Sequence, residues 1–169
     1  KQMSMAPEGV DLVGIDLSPA MLRQAEKRGP GRCFFGDATR LPFEDGHFDL
    51  VYTQFALHEK EAQVIKGLLK EARRVLSEAG RLVVIEYAVL SRPGAYDRLR
   101  GKVIAGNERF AGREHYANYK AWMARGGMDG VLRELGWVES SSQDFYGGTI
   151  KMGVFRPGAP SLESRPADP

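Results

Sequence analysis

Short aliphatic runs and longer amphipathic stretches alternate along the chain. "VDLVGI" (10–15) is compact, rich in β-branched and aliphatic residues, and opens after the turn signal "PEG", which predicts a strand. Ser18 is then placed to cap a helix whose first turn holds Pro19, with Met21, Leu22 and Ala25 on one face. "RGPGR" breaks the chain before "CFF" (33–35), a second short strand. "GDATRLPFEDGH" reads as a polar loop and "FDLVYT" (48–53) as a third strand. The clearest helix runs from about 59 to 78, where Val64, Ile65, Leu68, Leu69, Ala72, Val75 and Leu76 keep an i, i+3, i+4 rhythm. Gly80 is placed to end it as a C-terminal cap. "RLVVIEY" (81–87) is aliphatic almost throughout, as expected of a parallel strand covered on both faces.

The rhythm changes after Tyr87. Residues 88–120 carry aromatics and glycines with no long clean period. A helix is expected from about 119 to 135, kinked or divided at "RGG" (125–127). "WVESSSQDFY" and "TIKMGVF" read as two strands around a two-residue Gly147-Gly148 turn. The tail from 157 to 169 is rich in Pro and polar residues and is expected to be disordered. Alternating strands and helices followed by a hairpin predict an α/β fold, mostly parallel, with antiparallel strands at one edge. One domain is expected over 1–156, with 88–120 as a variable segment inside it.

Composition narrows the reading only a little. The 169 residues are 43% hydrophobic and 27% charged, ordinary for a globular chain. The net charge of +2 comes from basic residues scattered among acids, which reads as a solvated surface and argues against a nucleic-acid partner. Cys33 is the single cysteine, so no internal disulfide can form, and its neighbours favour a buried strand residue over a reactive thiol. No apolar run approaches a membrane span of roughly 18 residues. A cytoplasmic location is expected, although the chain does not begin with Met and a leader upstream stays open.

Two carboxylates then stand out. In open α/β sheets, ligands bind beyond the carboxyl ends of the strands. Asp16 closes the first strand and could accept hydrogen bonds from both hydroxyls of a ribose; equally, it could only stabilise the start of the helix that follows. Asp37, just past the second strand, could accept the amine of an adenine, with the Ala38 amide on a ring nitrogen; it could also make no more than a local turn. The two together, followed by "LPF" and "FDLVYTQFALH", are more specific than either alone.

With these residues in place, the chain resembles the class I S-adenosylmethionine-dependent methyltransferases. It is most similar to the group that includes the ubiquinone/menaquinone-biosynthesis C-methyltransferases. The motifs that carry the resemblance are "VGIDLSPAMLRQA", "GDATRLPF", "FDLVYTQFALHE" and "EARRVLSEAGRLVVIEY". It implies a Rossmann-like, mostly parallel sheet with a C-terminal antiparallel hairpin. It further implies that Asp16 holds the cofactor ribose, that Leu17 lines the nucleoside pocket, that Met21 packs on adenine, and that Asp37 and Ala38 read the adenine edge. Gln54 is implied beside the methionine part of the cofactor. The family's first strand and G-x-G-x-G loop have no counterpart here, because "KQMSMAPEGV" fits the stretch directly after that loop. The expectation is a partial view of a longer protein.

The implied activity is in-line methyl transfer from S-adenosylmethionine to a small-molecule acceptor, with a homodimer allowed. The catalytic candidates are His58, His115 and Tyr116. For each a bland alternative stands: a structural histidine at a helix start for His58, a surface position for His115, core packing for Tyr116 and its neighbours Tyr119 and Trp122. The segment 88–120 is expected to wall the acceptor pocket as a lid. Three histidines and one cysteine show no ligand spacing of a zinc site, so no metal is expected. A non-catalytic module acting with a partner and a nicotinamide-dependent oxidoreductase are the competing readings.

Overall fold

The structure is a computed structural model that describes residues 9–27, 32–90 and 94–158. It divides into two compact units, residues 1–43 and 44–169.

In the first unit, β1 (Val13–Asp16) and β2 (Arg32–Phe35) pair in parallel, with Val13 opposite Arg32 and Asp16 opposite Phe35. A parallel pair needs a crossover, and α1 (Pro19–Glu26) supplies it. Ser18 keeps extended dihedrals, and its Oγ accepts the Met21 amide at 3.3 Å, so the expected cap is present. Cys33 lies in β2 but is half-buried rather than buried; burial, with Glu26 and Asp16 nearby, raises the pKa of its thiol. Both effects favour the thiol over the thiolate.

The second unit carries the core. Its four-stranded sheet has the order β3-β4-β6-β5, with β3 (Phe48–Gln54), β4 (Leu76–Tyr87), β5 (Trp137–Phe145) and β6 (Ile150–Pro157). β3 runs parallel to β4, and β6 runs antiparallel to both β4 and β5. The mostly parallel reading with a closing antiparallel hairpin therefore holds. Helix α2 (Ala62–Val75) buries Ile65, Leu69 and Ala72 in one cluster with β4 residues Leu82 and Val84 and with Met128, Val131, Leu132 and Phe155; its Val75 is buried as well. Edge strand β5 is exposed at nearly every position, polar, and bulged between Glu139 and Ser141, features that discourage pairing with another sheet.

Four expectations are corrected. Helix α2 is shorter at both ends than 59–78, because Leu76 already has extended dihedrals (φ −75°, ψ 134°) and begins β4. Gly80 is therefore no helix cap. It lies inside β4, where an added Cβ would stand 2.9 Å from the Ser77 carbonyl and 3.1 Å from that of Phe48; close backbone approach requires the glycine. The segment after Tyr87, expected to show no long period, holds α3 (Ala95–Phe110), and the helix expected from about 119 begins earlier, as α4 (Arg113–Ala124). Helix α3 leaves Tyr96, Leu99, Val103 and Phe110 exposed and buries Glu108, so no apolar period marks it. The hairpin turn is longer than two residues: Phe145 pairs with Ile150, and Tyr146–Thr149 form the loop around a short 3-10 turn.

The expected division at "RGG" is found, between α4 and α5 (Gly127–Glu134), where Gly126 and Gly127 both have positive φ. Gly127 also bridges Ala88, and a Cβ there would meet the Tyr87 carbonyl at 2.9 Å. The tail expected to be disordered lies, from residue 159 on, outside the described residues. Among the described residues no helix is long and apolar enough to cross a membrane.

Candidate functional site

The first unit brings Asp16 and Asp37 to the same edge. Asp16 ends β1 and its Oδ1 accepts the Ser18 amide at 2.8 Å. Asp37 lies two residues past β2; its Oδ1 accepts both the amide and the hydroxyl of Thr39 at 2.8 Å. Those two bonds lower the Asp37 pKa, the Thr39 amide most. Asp37 thus makes the local turn named as its alternative, Asp16 bonds the amide at the start of α1, and both sit at adjacent parallel strand ends. Leu17 and Met21 beside Asp16 are 60% and 48% exposed, an apolar surface open among the described residues. Carboxylates for hydroxyls next to an open apolar patch are the chemistry a nucleoside needs, so these residues fit the implied cofactor. Ala38 lies within the Asp37 turn, half-buried.

In the second unit, a buried cluster forms at the carboxyl ends of β3 and β4, the edge where ligands bind in such sheets. Gln54 is the last residue of β3, and its side-chain oxygen accepts the Tyr52 hydroxyl at 2.5 Å. The chain then turns sharply at Phe55, a non-glycine with φ of 48°, while the Phe55 amide stays bonded to Ile85. That turn lays Leu57 and His58 back over the end of β4. There Glu86, fully buried, accepts the Leu57 amide on Oε1 and meets Nδ1 of His58 on Oε2, each at 2.7 Å. A buried carboxylate is costly unless bonded in this way.

Helices α3 and α4 complete the cluster. Glu108 of α3, 7% exposed, accepts the Tyr87 hydroxyl on Oε1 at 2.8 Å. Its Oε2 is in short contact with Nε2 of His115 and lies 3.6 Å from Nε2 of His58. Nδ1 of His115 stands 3.7 Å from Glu59. Helix α4 is pinned by Asn118, which donates to the Glu59 carbonyl at 2.9 Å, and by Trp122, which donates to the Tyr87 carbonyl at 3.0 Å. Burial alone would lower the His58 pKa; the hydrogen bond and charge of Glu86, with Glu108 and Glu59, outweigh it and raise it. Burial and the bond to Glu108 push the Tyr87 hydroxyl well above its usual range. Tyr119 is raised too, by burial first and by Glu108 second.

The sequence candidates divide cleanly. His58 and His115 come together, with ring centroids 5.6 Å apart. Tyr116 stacks on Tyr119 at 6.4 Å and lies under the Lys120 ammonium. Trp122 is 1% exposed and belongs to the core. An open pocket of about 450 Å³ borders the cluster, lined by Glu59, Lys60, Gly112, Arg113, Glu114 and His115 among others. Glu86, Tyr87 and Glu108 were missed in the sequence. Glu86 had a usable signal, since it is an acid closing an aliphatic strand, like Asp16. Glu108 had little, because His115 is seven residues on but Tyr87 and His58 lie far off along the chain. The same holds for the grouping of His58, Glu108 and His115, which offer one ligand atom each within 4.8 Å of one another.

Comparison with known proteins agrees with the motifs. The profile described as "Methyltransferase domain" matches residues 2–84. A demethylmenaquinone methyltransferase from Renibacterium salmoninarum is 30% identical over 175 residues, covering 95% of this chain and 71% of that protein. One from Beutenbergia cavernae is 30% identical over 174 residues, covering 88% of this chain and 65% of the relative. The chain thus spans about two thirds of the length of these relatives. A solved SAM-dependent methyltransferase from Methanosarcina mazei, 14% identical, shares the fold with a TM-score of 0.62 over 93% of this chain and 86% of its own.

Proposed function

The chain belongs to the S-adenosylmethionine-dependent methyltransferase family, and on that premise we propose that its protein methylates a small hydroxylated aromatic ring of the quinol type. The observation that carries the reading is the pair of strand-end carboxylates, Asp16 and Asp37, beside exposed Leu17 and Met21. The relatives named demethylmenaquinone methyltransferases support the choice of acceptor.

The residues have separable roles in this proposal. S-adenosylmethionine supplies an already activated methyl group, so the protein contributes position and desolvation. Asp16 accepts the ribose hydroxyls, Leu17 lines the nucleoside pocket, Met21 packs on adenine, Asp37 and the Ala38 amide bond the adenine edge, and Gln54 borders the methionine part. His58, His115 and Tyr116 belong to the acceptor side. The imidazole–carboxylate pairs give that side groups able to take the proton an acceptor loses. The segment containing α3 and α4 walls the pocket and keeps water out.

Calorimetry on the full-length protein tests the cofactor: S-adenosylmethionine and its demethylated product are expected to bind, a nicotinamide dinucleotide not. Turnover of labelled cofactor against quinols, phenols, amines and lipids tests the acceptor. Tight dinucleotide binding with none for S-adenosylmethionine overturns the proposal. Cofactor binding with no methylation of any acceptor favours the non-catalytic module instead.

A further inference from the structure

His58, Glu108 and His115 meet from a turn and two helices, and His58 and Glu108 are each held by a buried or half-buried partner. Nδ1 of His58 is engaged by the buried Glu86 carboxylate at 2.7 Å, which leaves Nε2 directed at Glu108. Oε1 of Glu108 is occupied by the Tyr87 hydroxyl, which leaves Oε2 between the two imidazoles. His115 has Glu59 on its Nδ1 side. Carboxylate-held imidazoles with the remaining nitrogen turned to a common point are the arrangement that fixes tautomer and direction in metal sites. The separation of 3.6 Å between His58 Nε2 and Glu108 Oε2 suits two ligands on one ion, since metal–ligand bonds of about 2.0–2.2 Å put neighbouring donors roughly 3–4 Å apart; His115 Nε2, in short contact with the same oxygen, must draw back for the ion to enter.

We propose that His58, Glu108 and His115 form a binding site for one first-row transition-metal dication, with zinc as its type. Two imidazoles and one carboxylate favour zinc and its neighbours over magnesium or calcium, which prefer oxygen ligands. Three protein ligands leave at least one position open, as in catalytic sites. His115 itself lines the open pocket, so an ion and a small ligand have a way in. Charge favours occupancy: Glu86 and Glu108 are both buried there, with Glu59 beside them. Loading displaces protons, because each imidazole must offer a lone pair to the ion. The ion and the proton are therefore alternative occupants of the same histidines. An acceptor hydroxyl at the open position would lose its proton more readily with the ion present.

The inference concerns the second unit alone and does not depend on methyl transfer, so its test uses neither cofactor nor acceptor. Full-length protein is stripped with chelator, and Zn²⁺ or Co²⁺ is titrated by calorimetry and visible absorption. One equivalent is expected, with a Co²⁺ ligand-field band of a nitrogen–oxygen site and no competition from excess Mg²⁺. Glu108→Gln and His115→Ala should each weaken binding at least tenfold and change the band. Glu86→Gln, which does not touch the ion, should weaken it on the order of ten- to a hundredfold. The melting temperature of each metal-free variant shows that it is folded. A folded wild type that takes up no Co²⁺ at neutral pH overturns the site. So does binding that is the same in wild type and all three variants, which would place the ion elsewhere.

Discussion

Asp16 and Glu86 occupy equivalent positions, each a carboxylate at the carboxyl end of a parallel strand, yet their surroundings differ. Asp16 is partly open, and among the described residues its carboxylate accepts the Ser18 amide, so it can serve a ligand as well. Asp16→Ala should lower affinity for S-adenosylmethionine by roughly ten- to a hundredfold, the value of one or two charge-assisted bonds. Circular dichroism should be unchanged, since no core rests on that side chain. Unaltered affinity in calorimetry would leave Asp16 only its role at the start of α1. Glu86 is fully buried and holds Leu57 and His58 together. Glu86→Ala should therefore destabilise by about 3–5 kcal/mol, because it strands a buried imidazole and a buried amide. Glu86→Gln keeps an acceptor for Leu57 and should cost clearly less; urea unfolding of both variants checks the order.

At the scale of elements, two glycines of similar sequence context have opposite roles. Gly80 sits where a Cβ would stand 2.9 Å from both the Leu76 side chain and the Ser77 carbonyl. Gly106, within α3, has nothing within 4 Å of that position. Gly80→Ala should destabilise by about 1–3 kcal/mol through overpacking. Gly106→Ala should stabilise by about 0.5–1 kcal/mol through helix propensity. Urea midpoints give both signs in one experiment. The irregular start of β4 depends on Gly80, and the register shift between Phe48 and Leu50 on the facing strand lies at the same place. Helix α3 shows the converse: it buries a carboxylate and exposes most of its large apolar residues, so its value lies in placing Glu108 more than in filling a core.

At the scale of the molecule, the described buried apolar residues lie in the second unit, between Leu57 and Phe155. Lys151 joins three elements of that unit: on β6 itself, it donates to Asp129 of α5 at 2.8 Å and to Glu139 of β5 at 2.7 Å. Burial would lower the Lys151 pKa, but its bonds to both acids raise it. Burial would raise that of Glu139, but the bonds from Lys151 and Ser142 lower it. A depressed acid contributes stability above its ordinary 4.5 that is lost as pH falls through the folded value. A raised lysine contributes stability below its ordinary 10.5 that is lost as pH rises through the folded value. The junction should thus contribute fully between those limits. Lys151→Met should flatten both limbs of the stability profile, read from thermal melts across pH. Identical profiles would mean that solvent screens the junction, which is partly exposed.

Local chemistry made much of this legible in the amino-acid order. Ser18 and Pro19 start α1, the α2 rhythm buries Ile65, Leu69 and Ala72, and aliphatic runs form β3 and β4, because each depends on neighbours within a few residues. The family motifs and the strand-end acids Asp16 and Asp37 are legible for the same reason. What the sequence could not disclose depends on separation. Gly80 reads as a cap until the Phe48 carbonyl is seen against it. Helix α3 has no apolar period because the residue it buries is Glu108. The cluster of His58, Glu86, Glu108 and His115 draws on a strand end, a sharp turn and two helices, with partners as far as 50 residues apart or more along the chain. Only the tertiary structure brings such groups together, because burial and opposite charge act through space and leave no repeat in the sequence.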